Sequence, residues 1–290
     1  MQSRRTTLFG LLGLSSGLVA APAQAKREEK WVSHDGAVDG NPDSYFTFGT
    51  FNGGPQFWTA HNAGHPYACQ LSGDGRILRL ELRAGDQWPD ETATGRTTER
   101  TMVQPVTGSH VSQALPQATD VWWAFSFMIE PGPPVSSLGP GYGWLIFADV
   151  HSDFNASHAH AVPIQFECDA GDQFVVQAHG TKLHPDGSVN EIYRETSPIA
   201  RGRWHEFVTR LNIDPSGEHA AADVFLDGKQ VVAFRGPLGF VGDLPYPQFQ
   251  IYRDNPEVKT RTHETVAVRY AHHELVTSGS LARRIHRPQR

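Results

Sequence analysis

The sequence predicts an all-β sandwich of two packed sheets, on three observations. Short runs rich in β-branched and aromatic residues recur along the chain, each bounded by Gly, Pro, Asp or Asn. Long helical periodicity is absent. The adjacent runs 222–226 and 230–234 are joined by Asp227-Gly228, a dipeptide suited to a tight hairpin turn that needs positive φ.

The elements follow in chain order. The opening MQSRRTTLFGLLGLSSGLVAAPAQA has a charged start, an apolar run from Leu8 to Ala21 and small residues at Ala23 and Ala25, the pattern of a signal peptide over 1–25. Arg4 and Arg5 before the apolar run point to the twin-arginine export route. Cleavage after Ala25 leaves 265 of the 290 residues, and no later apolar run reaches the ~20 residues that span a bilayer. A soluble periplasmic or secreted protein without stable membrane insertion is therefore expected. A mobile lead-in segment covers 26–44, a single β-sandwich domain 45–277, and a basic tail, ending SLARRIHRPQR, 278–290. Within the domain the strand-like runs are 76–83, 121–130, 143–151, 162–168, 174–179, 204–213, 222–226, 230–234, 247–253 and 265–272. Ten strands imply two sheets, and no internal repeat or linker divides them.

Charge narrows the partners. Loss of Arg4 and Arg5 with the leader leaves 23 basic residues against 31 acidic ones, moving the formal charge from −6 to −8 and disfavouring nucleic acid. Cys69 and Cys168 have neither the number nor the spacing of a zinc site, and their pairing stays open.

Alternation sorts the strand faces, because successive side chains point to opposite sides. Phe249 and Ile251 oppose Tyr246, Gln248, Gln250 and Tyr252; Phe174, Val176 and Ala178 oppose Val175, Gln177 and His179. Val162, Ile164, Phe166 and Cys168 oppose Gln165 and Glu167, and Asp149 shares a face with His151. A sheet face of amides, aromatics and carboxylates suits sugars, which combine dense hydroxyls with apolar ring faces. An ordinary solvated face is the alternative.

Three ordered segments add a resemblance: ERTMV near residue 100, GRWHEFVTRLNID followed by DVFLDGKQV, and YPQFQIYRDN. Over roughly residues 45 to 275 the chain resembles the jelly-roll polysaccharide lyases of the glucuronan-lyase and heparin-lyase I type. The resemblance implies a β-jelly-roll sandwich, concanavalin A-like, of two packed antiparallel sheets, and an enzyme that cleaves an acidic polysaccharide. It carries Arg100 to the first motif, Trp204 and His205 to the second, and Tyr252 with Arg253 to the third. It also implies a catalytic histidine at a strand end before the middle of the chain, where GWLIFADVH offers His151. Met102 stands where the family has an acidic residue, and Gln248 and Gln250 where it has Lys and Gly, which points to a different uronic acid or to lost activity.

A uronate lyase removes the C5 proton beside a carboxylate and expels the 4-linked oxygen, so the site must hold the developing dianion. Arg, Gln, Asn or a protonated acid can do so. His151 is the expected general base, since an imidazole near pKa 6.5 exchanges protons at neutral pH. Tyr252 is the expected acid to the leaving oxygen, with the two roles open to reversal. Arg100, Gln165 and Arg253 are candidates for carboxylate binding, and Gln177, His179, Gln248 and Gln250 for the rest of the substrate. The competing readings make Tyr252 a solvated sheet aromatic, His151 a loop-edge residue, Arg253 a structural ion-pair residue and Trp204 core.

Two other classes stay in view: a noncatalytic glycan-binding module, and a glycoside hydrolase using carboxylates among Asp149, Glu167 and Asp169. No GxSxG elbow supports a serine nucleophile. No cofactor is expected. The pairs His158/His160 and His272/His273 lack a clear third ligand, and structural calcium at Asp74 or the Asp227 turn is the remaining metal reading. A monomer is expected.

Overall fold

The computed structural model describes residues 30–34, 50–51, 54–55, 59–72, 77–93, 95, 98–107, 110–111, 114–132, 134, 144–152, 162–169, 171–180, 190–254 and 265–286. The leader, Asp74, His158 and His160 lie outside them. Fifteen strands build two antiparallel sheets. They are β1 (Lys30–His34), β2 (Thr59–His61), β3 (Cys69–Leu71), β4 (Leu78–Leu82), β5 (Thr98–Gln104), β6 (Asp120–Ile129), β7 (Trp144–Ser152) and β8 (Ile164–Asp169). The rest are β9 (Gln173–Ala178), β10 (Asn190–Pro198), β11 (His205–Asn212), β12 (Ala221–Leu226), β13 (Lys229–Arg235), β14 (Pro245–Asp254) and β15 (Val266–Ser278).

The back sheet runs β13-β12-β11-β6-β15-β4-β3, with β1 also paired to β15. The front sheet runs β10-β9-β8-β7-β14-β5-β2. Sequence neighbours β7, β8, β9 and β10 pair in succession, whereas β14 returns from the far end of the chain to lie between β7 and β5. That return brings the late YPQFQIYRDN segment beside the central strands.

Between the sheets, the inward residues of the alternating runs form one core. Trp123, Phe125, Phe127, Phe147, Phe166, Phe174, Phe207 and Phe249 are all fully buried. Phe127 of the back sheet stacks on Phe147 of the front at 4.6 Å between centroids. Burying each such side chain contributes about 1.5–3 kcal/mol. Cys168 belongs to this core. At the β12–β13 hairpin Asp227 and Gly228 take φ of 52° and 81°, the conformation expected of that dipeptide.

Described parts of the two terminal segments join the back sheet. Residues 30–34, placed in a mobile lead-in, pair with β15. Part of the basic tail forms a short 3-10 helix, Ala282–His286, packed on the outer face of the back sheet. Leu281 and Arg284 are buried there, and Arg284 bonds Glu206 at 2.8 Å and the His272 carbonyl at 2.6 Å. Of the remaining motif residues, Trp204 is half-buried just before β11, and His205 bridges Asp227 (2.9 Å) and the Ala200 carbonyl (2.9 Å). Both therefore sit at the back sheet. No described helix is long and apolar enough to cross a membrane.

Candidate active site

The outward face of the front sheet gathers the polar side chains that alternation separated from the core. Across its centre Asp149 of β7 stands between Gln165 of β8 and Gln248 of β14, and Gln165 in turn faces Gln177 of β9. A register shift between Ile146 and Ala148 sets this row. It lets the consecutive residues Phe147 and Ala148 both join the core, after which Asp149 and His151 point outward. The Tyr270 hydroxyl of the back sheet secures the irregularity, 2.7 Å from the Phe147 carbonyl and 3.0 Å from that of Gln250.

Asp149 is 1% exposed, and its Oδ2 accepts a 2.6 Å hydrogen bond from Gln250 Nε2. Burial pushes its carboxyl up to about 8, against the opposing pull of Gln248, Arg100 and Gln250. Near neutral pH it is therefore mainly a neutral acid, able to donate. Asp149 Oδ1 and Gln248 Oε1 are buried without a hydrogen-bond partner. In a folded protein such orphans call for a ligand or water.

Beside them, Glu167 accepts from Gln165 Nε2 at 2.9 Å and from Gln177 Nε2. Burial raises this carboxyl to about 7, the two amides opposing the shift.

At one end of the row, His151 Nδ1 lies 2.8 Å from the Ser152 carbonyl and 3.2 Å from the Tyr246 hydroxyl, with the two rings stacked at 5.5 Å. A proton on Nδ1, shared with these oxygens, leaves the Nε2 lone pair as the basic position. At the other end, the Arg100 guanidinium sits 4.3 Å over the Tyr252 ring, and Trp144 packs on it at 5.2 Å.

His151 pairs with Tyr246, whereas Tyr252 pairs with Ile146. The expected acid and base therefore stand on opposite sides of the Asp149–Gln250 contact. Each is two residues from it, or ~7 Å of strand. His151, Tyr252, Arg100, Gln165, Gln177, Gln248 and Gln250 thus share one face. His179 lies just past the end of β9, its backbone tied to Pro163 and Gly239. Arg253 points the other way: it is buried and bonded to Glu99 at 2.6 Å, so this guanidinium is separated from the face by its own strand.

The sequence reading did not single out Asp149 as the central acid, Glu167 as an amide-held group or Tyr246 as the partner of His151. Alternation put all three on the right face; burial and cross-strand register supply the rest. Among described residues no group of three or more His, Cys, Asp or Glu is placed to hold a metal. His272 bonds Ser126 at 3.1 Å and His273 packs against Trp123 and Phe249.

Comparison with known proteins fits this architecture. The polysaccharide lyase family model matches residues 46–270. No curated protein matches the sequence. Among solved structures, the endo-β-1,4-glucuronan lyase of the fungus Trichoderma reesei superposes with a TM-score of 0.54 at 12% identity, covering 86% of this chain and 95% of that one. The alginate lyase of Klebsiella pneumoniae gives 0.52 at 12% identity (73% and 84%), and that of Corynebacterium sp. 0.51 at 11% (75% and 92%). At these identities the likeness is one of fold, a jelly roll of two antiparallel sheets.

Proposed function

We propose that this chain, which belongs to the polysaccharide lyase family, cleaves a uronate-containing polysaccharide by β-elimination on the outward face of its front sheet. The observation that carries the proposal is Asp149, a buried carboxyl raised to about 8 and set among Gln248, Gln250 and Gln165. A substrate carboxylate gains most from donors that need no reorganisation as its charge grows. Protonated Asp149 is such a donor, and Arg100 supplies a full positive charge nearby.

With the carboxylate seated over Asp149, His151 Nε2 takes the C5 proton and returns it to the departing O4, because C5 and O4 are both bonded to C4 while Tyr252 stands ~14 Å of strand from His151 and lines the neighbouring sugar. Tyr246 and the Ser152 carbonyl fix the His151 ring. Trp144 and Arg100 hold Tyr252 against the face. All these groups approach the sugar from one side.

Elimination leaves a C4–C5 double bond conjugated to the carboxylate. Incubation with a panel of uronate polymers is therefore expected to raise absorbance near ~235 nm. New reducing ends without that absorbance identify a hydrolase, and binding without either signal identifies a glycan-binding module; either result overturns the proposal. Export fits a polymeric substrate met outside the cytoplasm, and we propose that residues 1–25 direct it. A processed N-terminus beginning at Lys26 in the exported protein tests this.

A further inference from the structure

We propose that Trp144 sets specificity for the sugar next to the Asp149 seat, as a stacking platform for a pyranose whose ring face carries only C–H bonds. The substrate class that follows has a gluco-configured sugar at that position, with its ring substituents equatorial. The inference rests on the assignment of the Asp149 face as the substrate face.

Three observations support it. First, Trp144 stands on that face. Leu145 and Phe147 belong to the core, so alternation turns Trp144 and Ile146 outward, to the side that Asp149 and His151 take after the register shift. Trp144 opens β7 and packs beside Tyr252, so it lies across the Asp149–Gln250 contact from His151.

Second, the indole is not consumed by its protein contact. The Tyr252 ring is covered by the Arg100 guanidinium at 4.3 Å. Trp144 meets that ring at 5.2 Å with 59° between the planes. A tilted neighbour takes at most one face of the indole, and Trp144 remains half-buried. A large apolar ring kept partly exposed beside unpartnered polar groups, Asp149 Oδ1 and Gln248 Oε1, is placed for a ligand that is part polar and part apolar.

Third, the surface between Trp144 and the seat is apolar. Ile146 pairs with Tyr252 and Met102 with Gln250, so both share this face, and both are buried outside the core between the sheets. The His151 end offers the Tyr246 hydroxyl instead. One sugar's carboxylate thus meets polar groups while its neighbour meets Ile146, Met102 and the indole.

The π-face of an indole is negative and attracts the C–H hydrogens that ring oxygens polarise. A gluco-configured ring presents such hydrogens on both faces. Guluronate carries axial oxygens on both faces, which hold the ring off the indole and are stripped of water there without a new partner.

The test compares oligoglucuronate with oligoguluronate. Binding is measured by calorimetry in a His151→Ala background, where the oligomers stay intact, with and without Trp144→Ala or Trp144→Phe. The parent is expected to bind oligoglucuronate ~10-fold more tightly; Trp144→Ala should lose ~10-fold and Trp144→Phe ~3-fold, on oligoglucuronate alone. With His151 restored, KM for a glucuronate polymer should rise in the same order while kcat holds. Should Trp144→Ala fail to fold, Trp144→Phe carries the comparison. Equal or reversed preference in the parent, a loss shared by both oligomers, or a fall in kcat overturns the platform. Unsaturated product from variants that keep the parent's selectivity removes the platform and leaves the lyase reading. Trp144-dependent selectivity with no unsaturated product from any polymer keeps the platform and removes the lyase reading.

Discussion

The two outward sheet faces carry the same kinds of residue in opposite electrostatic states. On the back sheet carboxylates are matched by guanidinium groups: Glu130 bonds Arg79 at 2.8 Å and Arg269 at 2.5 Å, Asp223 bonds Arg210 at 3.0 Å and Arg235 at 2.8 Å, and Glu206 bonds Arg284 at 2.8 Å. Bonding to Arg79 holds Glu130 down at about 2. On the front sheet Asp149 and Glu167 are surrounded by amides, and burial lifts them to about 8 and about 7. The back face thus uses charge to hold strands. The front face keeps unmatched acids at a cost to stability, as sites built for a ligand commonly do.

The largest expected difference between the faces is in turnover. His151→Ala should lower kcat by ~10²–10⁴-fold, the range for a lost proton-transfer group, whereas Tyr252→Phe should act mainly on KM, and the melting temperature should move by a few degrees at most in either. A His151→Ala variant that retains most of its turnover removes His151 from its role.

In stability, Asp149→Asn should strengthen the fold. The folded carboxyl holds its proton up to about 8, whereas the unfolded one releases it near 3.8. Between these values the native state binds more protons, so wild-type stability falls as pH rises from about 4 to about 8. The asparagine variant escapes this fall, and denaturant titrations should show it more stable at pH 8, on the order of 5 kcal/mol, with no advantage near pH 4.

Arg284→Ala should act in the other direction. It leaves Glu206 without the cation that holds it and frees the Ala282–His286 turn from the back sheet. A loss of about 2–3 kcal/mol is expected, with kcat/KM per folded molecule unchanged. A drop in kcat/KM would show that the back face reaches the chemistry.

Glu130→Gln should have the smallest effect. A carboxylate lowered to about 2 contributes stability that is present above its ordinary 4.5 and lost as pH falls through about 2. Because the group is partly exposed, the expected cost is about 1 kcal/mol at pH 7, vanishing in strong acid.

Much of the fold was legible because core strands alternate and turns carry Gly, Pro or Asp. β10 was not, since Asn190–Pro198 is an edge strand that is largely exposed and so needs no apolar period. β5 was hidden differently: Glu99 points inward to meet Arg253, which breaks the apolar alternation with a buried ion pair. β15 runs six residues past its expected end at His272, which sits at φ 53° where the β6–β15 register shifts. That extra residue inverts the period, so the continuation did not read as one strand.

The site was legible as a face and not as a mechanism. Period two put Gln165, Gln177, Gln248, Gln250 and Tyr252 together correctly. Arg253 sits one residue from Tyr252 and so faces the other way, an outcome that the same period implies. The choice of Tyr246 as partner of His151 depends on β7–β14 register, which no single strand encodes. The raised carboxyls depend on burial by neighbouring strands, which sequence spacing does not express.

The central claim, that Asp149 works as a protonated donor to the substrate carboxylate, is tested most directly by kcat/KM against pH for wild type and Asp149→Asn on one uronate polymer. Wild type should lose activity as pH rises through about 8, where Asp149 ionises against a bound anion. The asparagine variant, a donor at every pH, should retain activity through that range. Identical alkaline limbs in the two proteins would contradict the account.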